Sequence, residues 1–135
     1  MRKLIIIGSG PAGYTAGIYA GRAGLKPVIF SGETSGGQLI NTATVENWPG
    51  AEAGILGSEL MLKMEKQAVK FGAEMVDKKV EKVDFSKQPF LVNDLEAEAV
   101  IIATGAEPVK LNVPGEKQLF GRGVATCAVC DAPFY

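Results

Sequence analysis

The chain has 135 residues, of which 47% are hydrophobic and 21% charged, and its formal net charge is −1. This is a globular composition with enough apolar side chains for a core, and the length suits one domain, or one domain and the start of a second. The small net charge excludes an electrostatic footprint for nucleic acid or an anionic membrane, and no apolar run approaches the length of a bilayer span.

The first thirty residues predict a strand, a helix and a second strand. Leu4–Ile7 is a continuous apolar run, which is typical of a buried parallel strand. A helix is expected from Pro11, where the missing N–H of proline does no harm, to about Ala23, with Gly24 as its stop signal. Pro27–Phe30 then resumes an apolar strand, so the pattern predicts a βαβ unit.

The N-terminal apolar run is too short for the core of a signal peptide. It follows Arg2 and Lys3 directly and meets Gly8 after four residues. We therefore expect no leader, and a cytoplasmic protein.

The segment from Ser31 to about Leu56 predicts a long loop, because it is rich in Gly, Thr, Asn and Pro and has no clear period. Loops of this length inside a compact domain usually carry function. Ser58–Phe71 returns to helical spacing, with Glu59 and Lys63 as a favourable i,i+4 pair. Its apolar face, which we interpret as core, consists of Leu60, Met64, Ala68 and Phe71.

From residue 73 to residue 105 the period falls to two. Short strands are expected near 74–76, 80–85, 90–92 and 97–103, with turns at 86–89 and at Asn93-Asp94. The fold class predicted is therefore α/β, a Rossmann-like βαβ unit with a parallel sheet and a small antiparallel β-meander. The prolines and glycines at intervals in residues 108–123 predict a connector.

The turn after the first strand matches G-x-G-x-x-G, with the sequence Gly8-Ser9-Gly10-Pro11-Ala12-Gly13. The motif alone is weak, but here it follows a buried strand and opens a helix, which is the context that gives it meaning. Gly8 allows the tight turn, Gly10 lets a pyrophosphate approach the backbone, and Gly13 lets helix and strand pack closely. The positive end of the helix favours the phosphates. We therefore predict a dinucleotide site.

Four further positions follow this turn in the sequence. Gly17 and Gly21 continue the stripe at four-residue spacing, and we attribute them to close packing of the helix on the sheet rather than to ligand binding. Where an acidic ribose ligand is expected, at the end of the second strand, the sequence has Ser31. Glu33 follows two residues later and is either the ribose ligand or a solvated loop residue.

The only cysteines, Cys127 and Cys130, form a single C-x-x-C followed by Asp131, and the chain has no histidine. Two thiols without histidine cannot complete a four-ligand zinc site in one chain, so we expect no metal. A disulfide closing so small a loop adds little stability, which favours reversible redox chemistry with Asp131 as the local proton donor and acceptor. Two buried, inert cysteines remain the alternative.

Together these residues resemble the low-molecular-weight thioredoxin reductases of bacteria and archaea, and the resemblance covers essentially the whole chain. Five stretches carry it, in the order that the family has them: Gly8 to Ala16, Gly36 to Leu39, Val45 to Gly50, Ile101 to Gly105, and Gly121 to Val124 leading into Cys127 to Asp131.

The resemblance implies a site for FAD. The glycine-rich turn would bind its pyrophosphate, Asn47 would lie near the isoalloxazine ring, and Val80 would approach the adenine. The path from adenosine to flavin would be lined by Ser31, Gly32, Glu33, Gly36, Gly37, Gln38 and Leu39. The strand end that would pass close to the cofactor is Ala103-Thr104-Gly105.

The resemblance also implies a reaction. Electrons from NADPH would pass through FAD to the Cys127/Cys130 pair and on to thioredoxin or a thioredoxin-like protein, with Asp131 as acid and base. The full-length enzymes of this family are expected to be homodimers.

Some features depart from the family pattern. Ala132 stands where the family usually has glycine, and Gly17 and Gly21 replace common alanines.

No second glycine-rich turn, which would hold NADPH, follows the cysteines. We therefore expect a truncated chain: 1–109 as the N-terminal part of an FAD-binding domain, and 110–135 as a connector and the start of a pyridine-nucleotide domain that carries the redox C-x-x-C.

Two other functions are compatible with these motifs. One is a stand-alone FAD-binding fragment without turnover. The other is the flavoprotein reductase of a peroxiredoxin, which carries an extra N-terminal thioredoxin-like module; a first strand starting near Met1 argues against it. Ferredoxin–NADP reductases share the flavin motifs but lack the cysteine pair.

Overall fold

The computed structural model describes residues 1–128, and the chain divides into two compact units, Met1–Gly105 and Ala106–Tyr135. The elements of the first unit are, in chain order, β1 (Arg2–Ile7), α1 (Pro11–Arg22), β2 (Val28–Phe30), a 3-10 helix (Gly37–Asn41), α2 (Gly57–Lys70), β3 (Glu74–Val76), β4 (Val83–Asp84), β5 (Phe90–Val92) and β6 (Leu95–Ile102). The second unit contains α3 (Glu116–Leu119).

A single six-stranded sheet with the order β3-β2-β1-β6-β5-β4 organises the first unit. The strands β3, β2, β1 and β6 run parallel to their neighbours, whereas β6, β5 and β4 form antiparallel pairs. The predicted α/β fold class is confirmed. The antiparallel strands are not a separate sheet, however, because β6 belongs to both parts.

Each face of the sheet buries its own apolar cluster. Leu4, Ile6 and Ile29 face a cluster that includes the buried side chains of α1 and α2. Ile5 and Val28 face the other way, in a cluster whose remaining members are Phe30, Val92 and Ala97, with partly buried residues such as Val80 packed against it. The alternation along β1 and β2 thus places the two helices on one face.

Two glycines of α1 allow this helix to pack closely against β2 and against the end of α2. A β-carbon at Gly17 would lie 2.5 Å from Cδ1 of Ile29, in β2. One at Gly21 would lie 2.6 Å from the carbonyl oxygen of Phe71, just after α2. The packing explanation therefore holds for both positions, but Gly21 packs against the end of α2 rather than against the sheet.

The hairpin between β5 and β6 explains why β4 is shorter than expected. Asn93 turns the chain with φ +48°, in the predicted Asn93-Asp94 turn. Its Oδ1 accepts the N–H groups of Glu81 (2.9 Å) and Lys82 (3.2 Å), and its Nδ2 donates to the carbonyl of Lys79 (3.0 Å). Because this side chain takes the N–H groups of Glu81 and Lys82, those two groups are not available to extend the ladder with β5.

In the second unit, the carboxylate of Glu116 accepts the N–H groups of Leu111 (2.9 Å) and Asn112 (2.7 Å) at the start of α3. Gly121 N–H donates to the carbonyl of Val124 at 2.8 Å. Across residues 1–128, none of the helices combines the length and apolar character that crossing a membrane requires.

Candidate functional site

The glycine-rich turn links β1 to α1 at the carboxyl end of the parallel strands. Gly8 N–H donates to the carbonyl of Phe30 at 2.9 Å, which ties the turn to β2. Pro11 is the first helical residue of α1, and Gly10 before it has no side chain with which to cap the helix. The first turn contains no acidic residue, so no carboxylate competes for the positive end of the helix dipole.

Gly8 and Gly13 are glycines for steric reasons. Gly8 has φ +111°, and a β-carbon there would lie 2.2 Å from the carbonyl oxygen of Ala103, at the end of β6. A β-carbon at Gly13 would lie 1.9 Å from the carbonyl oxygen of Gly8. These contacts confirm the predicted close packing at Gly13 and bring Ala103 and Thr104 against the turn.

Gly10 is the exception, because a β-carbon there would meet no atom within 4 Å. Its φ of −68° is open to any residue. The backbone of Gly10 therefore borders open space at the N-terminus of α1, and Gly37 lies beside it: a β-carbon at Gly37 would be 3.2 Å from Cα of Gly10. Gly37 is thus packed closely beside Gly10, and the N-terminus of a helix next to open space is the kind of site that favours an anion such as pyrophosphate.

Ser9 fastens the loop after β2 to the glycine-rich turn. Its side chain is 2% exposed, and its Oγ donates to the carbonyl of Ser31 at 3.2 Å and accepts the N–H of Gly36 at 3.0 Å. The hydroxyl is therefore fully engaged within the protein. Sequence reasoning identified Ser9 as a cofactor residue; the structure shows what its side chain does for the loop.

The loop itself is also bound to the end of β3. Ser31 Oγ donates to Asp77 Oδ1 at 2.9 Å, and Ser31 N–H donates to the carbonyl of Val76 at 3.0 Å. Glu33 forms an exposed ion pair with Lys79 at 3.5 Å. Asp77 was missed by the sequence analysis, because its contact with Ser31 joins residues 46 apart in the sequence and no local motif marks it.

The remaining predicted cofactor residues lie in different environments. Leu39 is partly buried against the helix-side core, and Val80 packs against the cluster on the opposite face. Gln38 and Asn47 are exposed, as are Thr104 and Gly105. The turn, Ser31, Gly36, Gly37 and Ala103 are thus brought together, whereas the roles of Asn47 and Val80 at a cofactor stay predictions.

A second polar cluster joins α1, α2 and the loop. The hydroxyl of Tyr14 lies 2.8 Å from Ser35 Oγ and donates to Glu65 Oε2 at 3.0 Å. Burial raises the pKa of Tyr14 to about 12; the Glu65 carboxylate reinforces this rise, and hydrogen bonds with Ser35 and, more weakly, with Ser9 oppose it. No sequence motif marks these contacts, which span 21 and 51 residues.

A cavity of about 560 Å³ lies elsewhere, between α1, α2 and residues 48–55. It is lined by residues that include the cations Arg22 and Lys63 and the aromatic side chains Tyr19 and Trp48. None of the residues predicted to bind a cofactor lines it.

Of the predicted redox residues, the structure describes Cys127, and Cys130 and Asp131 lie outside the described residues. Cys127 is half-buried in the second unit and is not a free thiol. The catalytic assignment of all three residues stays a prediction.

Comparisons with known proteins agree with this geometry. A family model described as pyridine nucleotide-disulphide oxidoreductase matches residues 2–135. The chain is 49% identical over 138 residues to the thioredoxin reductase of Buchnera aphidicola (subspecies Schizaphis graminum), covering 99% of this chain and 43% of the relative. It is 50% identical over 141 residues to that of Streptomyces coelicolor, covering 100% and 44%.

Solved structures give the same result. The thioredoxin reductase from Streptococcus pyogenes superposes with a TM-score of 0.84 and 44% identity, over 100% of this chain and 45% of that one. The enzyme from Giardia duodenalis gives a TM-score of 0.83 and 42% identity, over 98% and 45%. The chain therefore spans less than half the length of the relatives it matches.

Proposed function

The chain belongs to the pyridine nucleotide-disulphide oxidoreductase family, and we propose that it is the FAD-binding and disulfide-bearing part of a thioredoxin-disulfide reductase. One observation carries the proposal: the open space at Gly10, which has Gly37 beside it, lies at the N-terminus of a helix that follows a buried parallel strand. Backbone N–H groups and the helix dipole favour a pyrophosphate there, and a side chain would obstruct it.

Residues around this space fit the rest of a dinucleotide. Glycines at positions 32, 36 and 37 have positive φ values and shape the loop that would follow the cofactor. Glu33 and Asp77 supply carboxylates at the ends of β2 and β3, where a ribose hydroxyl would be bound. Residues 31–39, Asn47, Val80 and 103–105 complete the proposed FAD site.

When bound, FAD supplies two-electron transfer between NADPH and a disulfide. The chain's own chemistry is then thiol–disulfide exchange at Cys127 and Cys130. One thiolate attacks the disulfide of thioredoxin to form a mixed disulfide, and the second thiol displaces the reduced substrate and closes the intramolecular disulfide. Asp131 is the proposed acid and base that takes up and returns the proton.

The cofactor site can be tested with the purified chain. After desalting and addition of FAD, we expect a yellow protein with a bound-flavin absorption spectrum. A chain that stays colourless, with a circular dichroism spectrum showing that it is folded, would contradict the proposed FAD site.

Turnover is a separate question, because the chain covers 43% of the relative from Buchnera aphidicola. A chain of this length is expected to bind FAD without turning over. Adding NADPH and thioredoxin to the flavin-loaded chain tests this: we expect no NADPH consumption, and consumption would show that the chain is an active reductase by itself.

The proposal has consequences for location and partners. Thioredoxin, or a protein with a similar exposed disulfide, is the proposed substrate, and the full-length enzyme is proposed to be a cytoplasmic homodimer that uses NADPH. Cross-linking of a Cys127→Ser or Cys130→Ser variant to thioredoxin through the remaining cysteine would identify the attacking thiol.

A further inference from the structure

We propose that Tyr14 and Glu65 are positioning residues for the cofactor site: their hydrogen bonds hold Ser35, and with it the loop 31–37, against the glycine-rich turn. The inference rests on the proposed function, since it concerns the same FAD site. Neither residue belongs to the glycine-rich motif, although Tyr14 directly follows it and donates its backbone N–H to the carbonyl of Gly10 at 3.0 Å.

The hydrogen bonds within this cluster leave little freedom. Tyr14 and Ser35 have one hydroxyl proton each; one contact joins them to each other, and one contact joins each of them to Glu65. When Tyr14 donates to Glu65 Oε2 at 3.0 Å, its oxygen is left to accept from Ser35 at 2.8 Å. The longer contact from Ser35 to Glu65, at 3.4 Å, is the weaker alternative for the Ser35 proton.

The position of Ser35 connects this cluster to the cofactor site. Ser35 directly precedes Gly36, whose N–H donates to Ser9 Oγ at 3.0 Å, and Gly37, which borders Gly10. The loop is therefore held at two adjacent residues, by Ser9 from the glycine-rich turn and by Tyr14 and Glu65 from the two helices. Both attachments fix Gly36 and Gly37, and Gly37 lies directly beside Gly10.

Burial makes Tyr14 a rigid anchor for the loop. Its side chain is fully buried between the helices, whereas Ser35 is exposed. A phenol keeps its proton at physiological pH, so Tyr14 remains a donor there, and burial raises its pKa further, to about 12. Because Tyr14→Phe keeps the ring and removes only the hydroxyl, that substitution isolates the hydrogen bonds to Ser35 and Glu65.

A preformed loop binds its ligand more tightly than a mobile one, because the cost of ordering the loop does not reduce the binding free energy. Loss of one or two net hydrogen bonds corresponds to a change in affinity of roughly 5- to 30-fold. We therefore expect Tyr14→Phe and Glu65→Ala to raise the Kd for FAD by about tenfold.

The chain provides matched controls. Tyr19→Phe removes a hydroxyl from the exposed tyrosine of the same helix, and Glu59→Gln neutralises an exposed glutamate of α2. Both should leave the Kd for FAD within about twofold of the parent value. Glu65→Gln keeps an acceptor oxygen for Tyr14 and should restore most of the affinity that Glu65→Ala loses.

The decisive experiment measures FAD binding and amide hydrogen exchange on these variants of the 135-residue chain. In the ligand-free chain, Tyr14→Phe should speed exchange in a peptide covering residues 32–37, with β1 and α1 unchanged. A general loss of stability would instead speed exchange in β1 and α1 as well, and that result would overturn the positioning role.

The two proposals fail in different ways. If the parent chain binds FAD but Tyr14→Phe binds it equally well, the positioning role is wrong and the FAD site stands. If the parent chain does not bind FAD, the proposed function is wrong for this chain, and the exchange measurement still decides whether Tyr14 and Glu65 hold the loop.

Discussion

Gly10 and Gly13 lie three residues apart in the turn, yet the same added methyl group should have opposite effects at the two positions. At Gly13 a β-carbon would lie 1.9 Å from a backbone oxygen, so we expect Gly13→Ala to destabilise the fold by about 3 kcal/mol or more. At Gly10 a methyl group meets nothing in the protein and φ is ordinary. Gly10→Ala should therefore change the free energy of unfolding by less than about 1 kcal/mol.

Although Gly10→Ala should hardly change the stability of the fold, it should strongly weaken the binding of FAD. The methyl group of Gly10→Ala occupies the space proposed for the pyrophosphate, so the Kd for FAD should rise by at least about tenfold. Urea unfolding and FAD titration of the same sample test both statements. Normal FAD affinity in a folded Gly10→Ala chain would place the phosphates elsewhere.

Tyr14 should also leave a signature in the pH dependence of stability. Its pKa is raised from 10.0 to about 12 in the folded chain, so the folded state keeps a proton that the unfolded state releases. The resulting stabilisation is complete below pH 10 and is lost as the pH rises from 10 towards 12. Between pH 8 and pH 11 the parent chain should lose about 1 kcal/mol more than Tyr14→Phe. Parallel stability curves for the two proteins would contradict the shifted pKa.

Among the larger elements, α1 allows a comparison of two glycines. Alanine at either Gly17 or Gly21 gains about 1 kcal/mol of helix propensity. At Gly17 the nearest obstacle is the end of the Ile29 side chain, whereas at Gly21 it is the backbone oxygen of Phe71. A side-chain end can rotate but a backbone oxygen cannot, so Gly21→Ala should destabilise by about 2 kcal/mol and Gly17→Ala by less than about 1 kcal/mol. Urea unfolding measures both, and the reverse order would refute this explanation.

At the level of elements, the predictions succeeded where the local sequence is unambiguous. β1, α1 and β2 were predicted to within two residues at each end, because an apolar run, a proline and a glycine mark their limits. The 3-10 helix inside the predicted loop has no periodic signal, since it is only five residues long. Strand partners were not predictable either: a three-residue run such as β3 has no pattern that distinguishes parallel from antiparallel pairing.

In the candidate site, too, the local motif could be predicted from the sequence and the long-range contacts could not. The glycine-rich turn is contiguous in sequence, so its motif could be recognised together with its strand and helix. The contacts that shape the loop join residues far apart: Ser9 to Gly36, and Tyr14 to Ser35 and Glu65. Such pairs depend on how α1, α2 and the loop pack, which no local spacing encodes.

For the molecule as a whole, the distribution of the core predicts how far the chain can be shortened. Both apolar clusters consist of residues between Leu4 and Ala103, within the unit Met1–Gly105. A chain ending at Gly105 should therefore fold, melt within about 3 °C of the parent chain, and bind FAD with similar affinity.

A slightly shorter chain is the matched control, because residues 103–105 complete the turn. Ala103 N–H donates to the carbonyl of Ile7 at 2.8 Å, and its own carbonyl packs directly against Gly8. A chain ending at Ile102 should thus melt about 5 °C lower and bind FAD more weakly than the one ending at Gly105. Thermal unfolding and FAD titration of the two chains measure this difference. If both chains behaved alike, the end of β6 would have no part in supporting the glycine-rich turn; if both lost FAD, the cofactor site would require residues of the second unit.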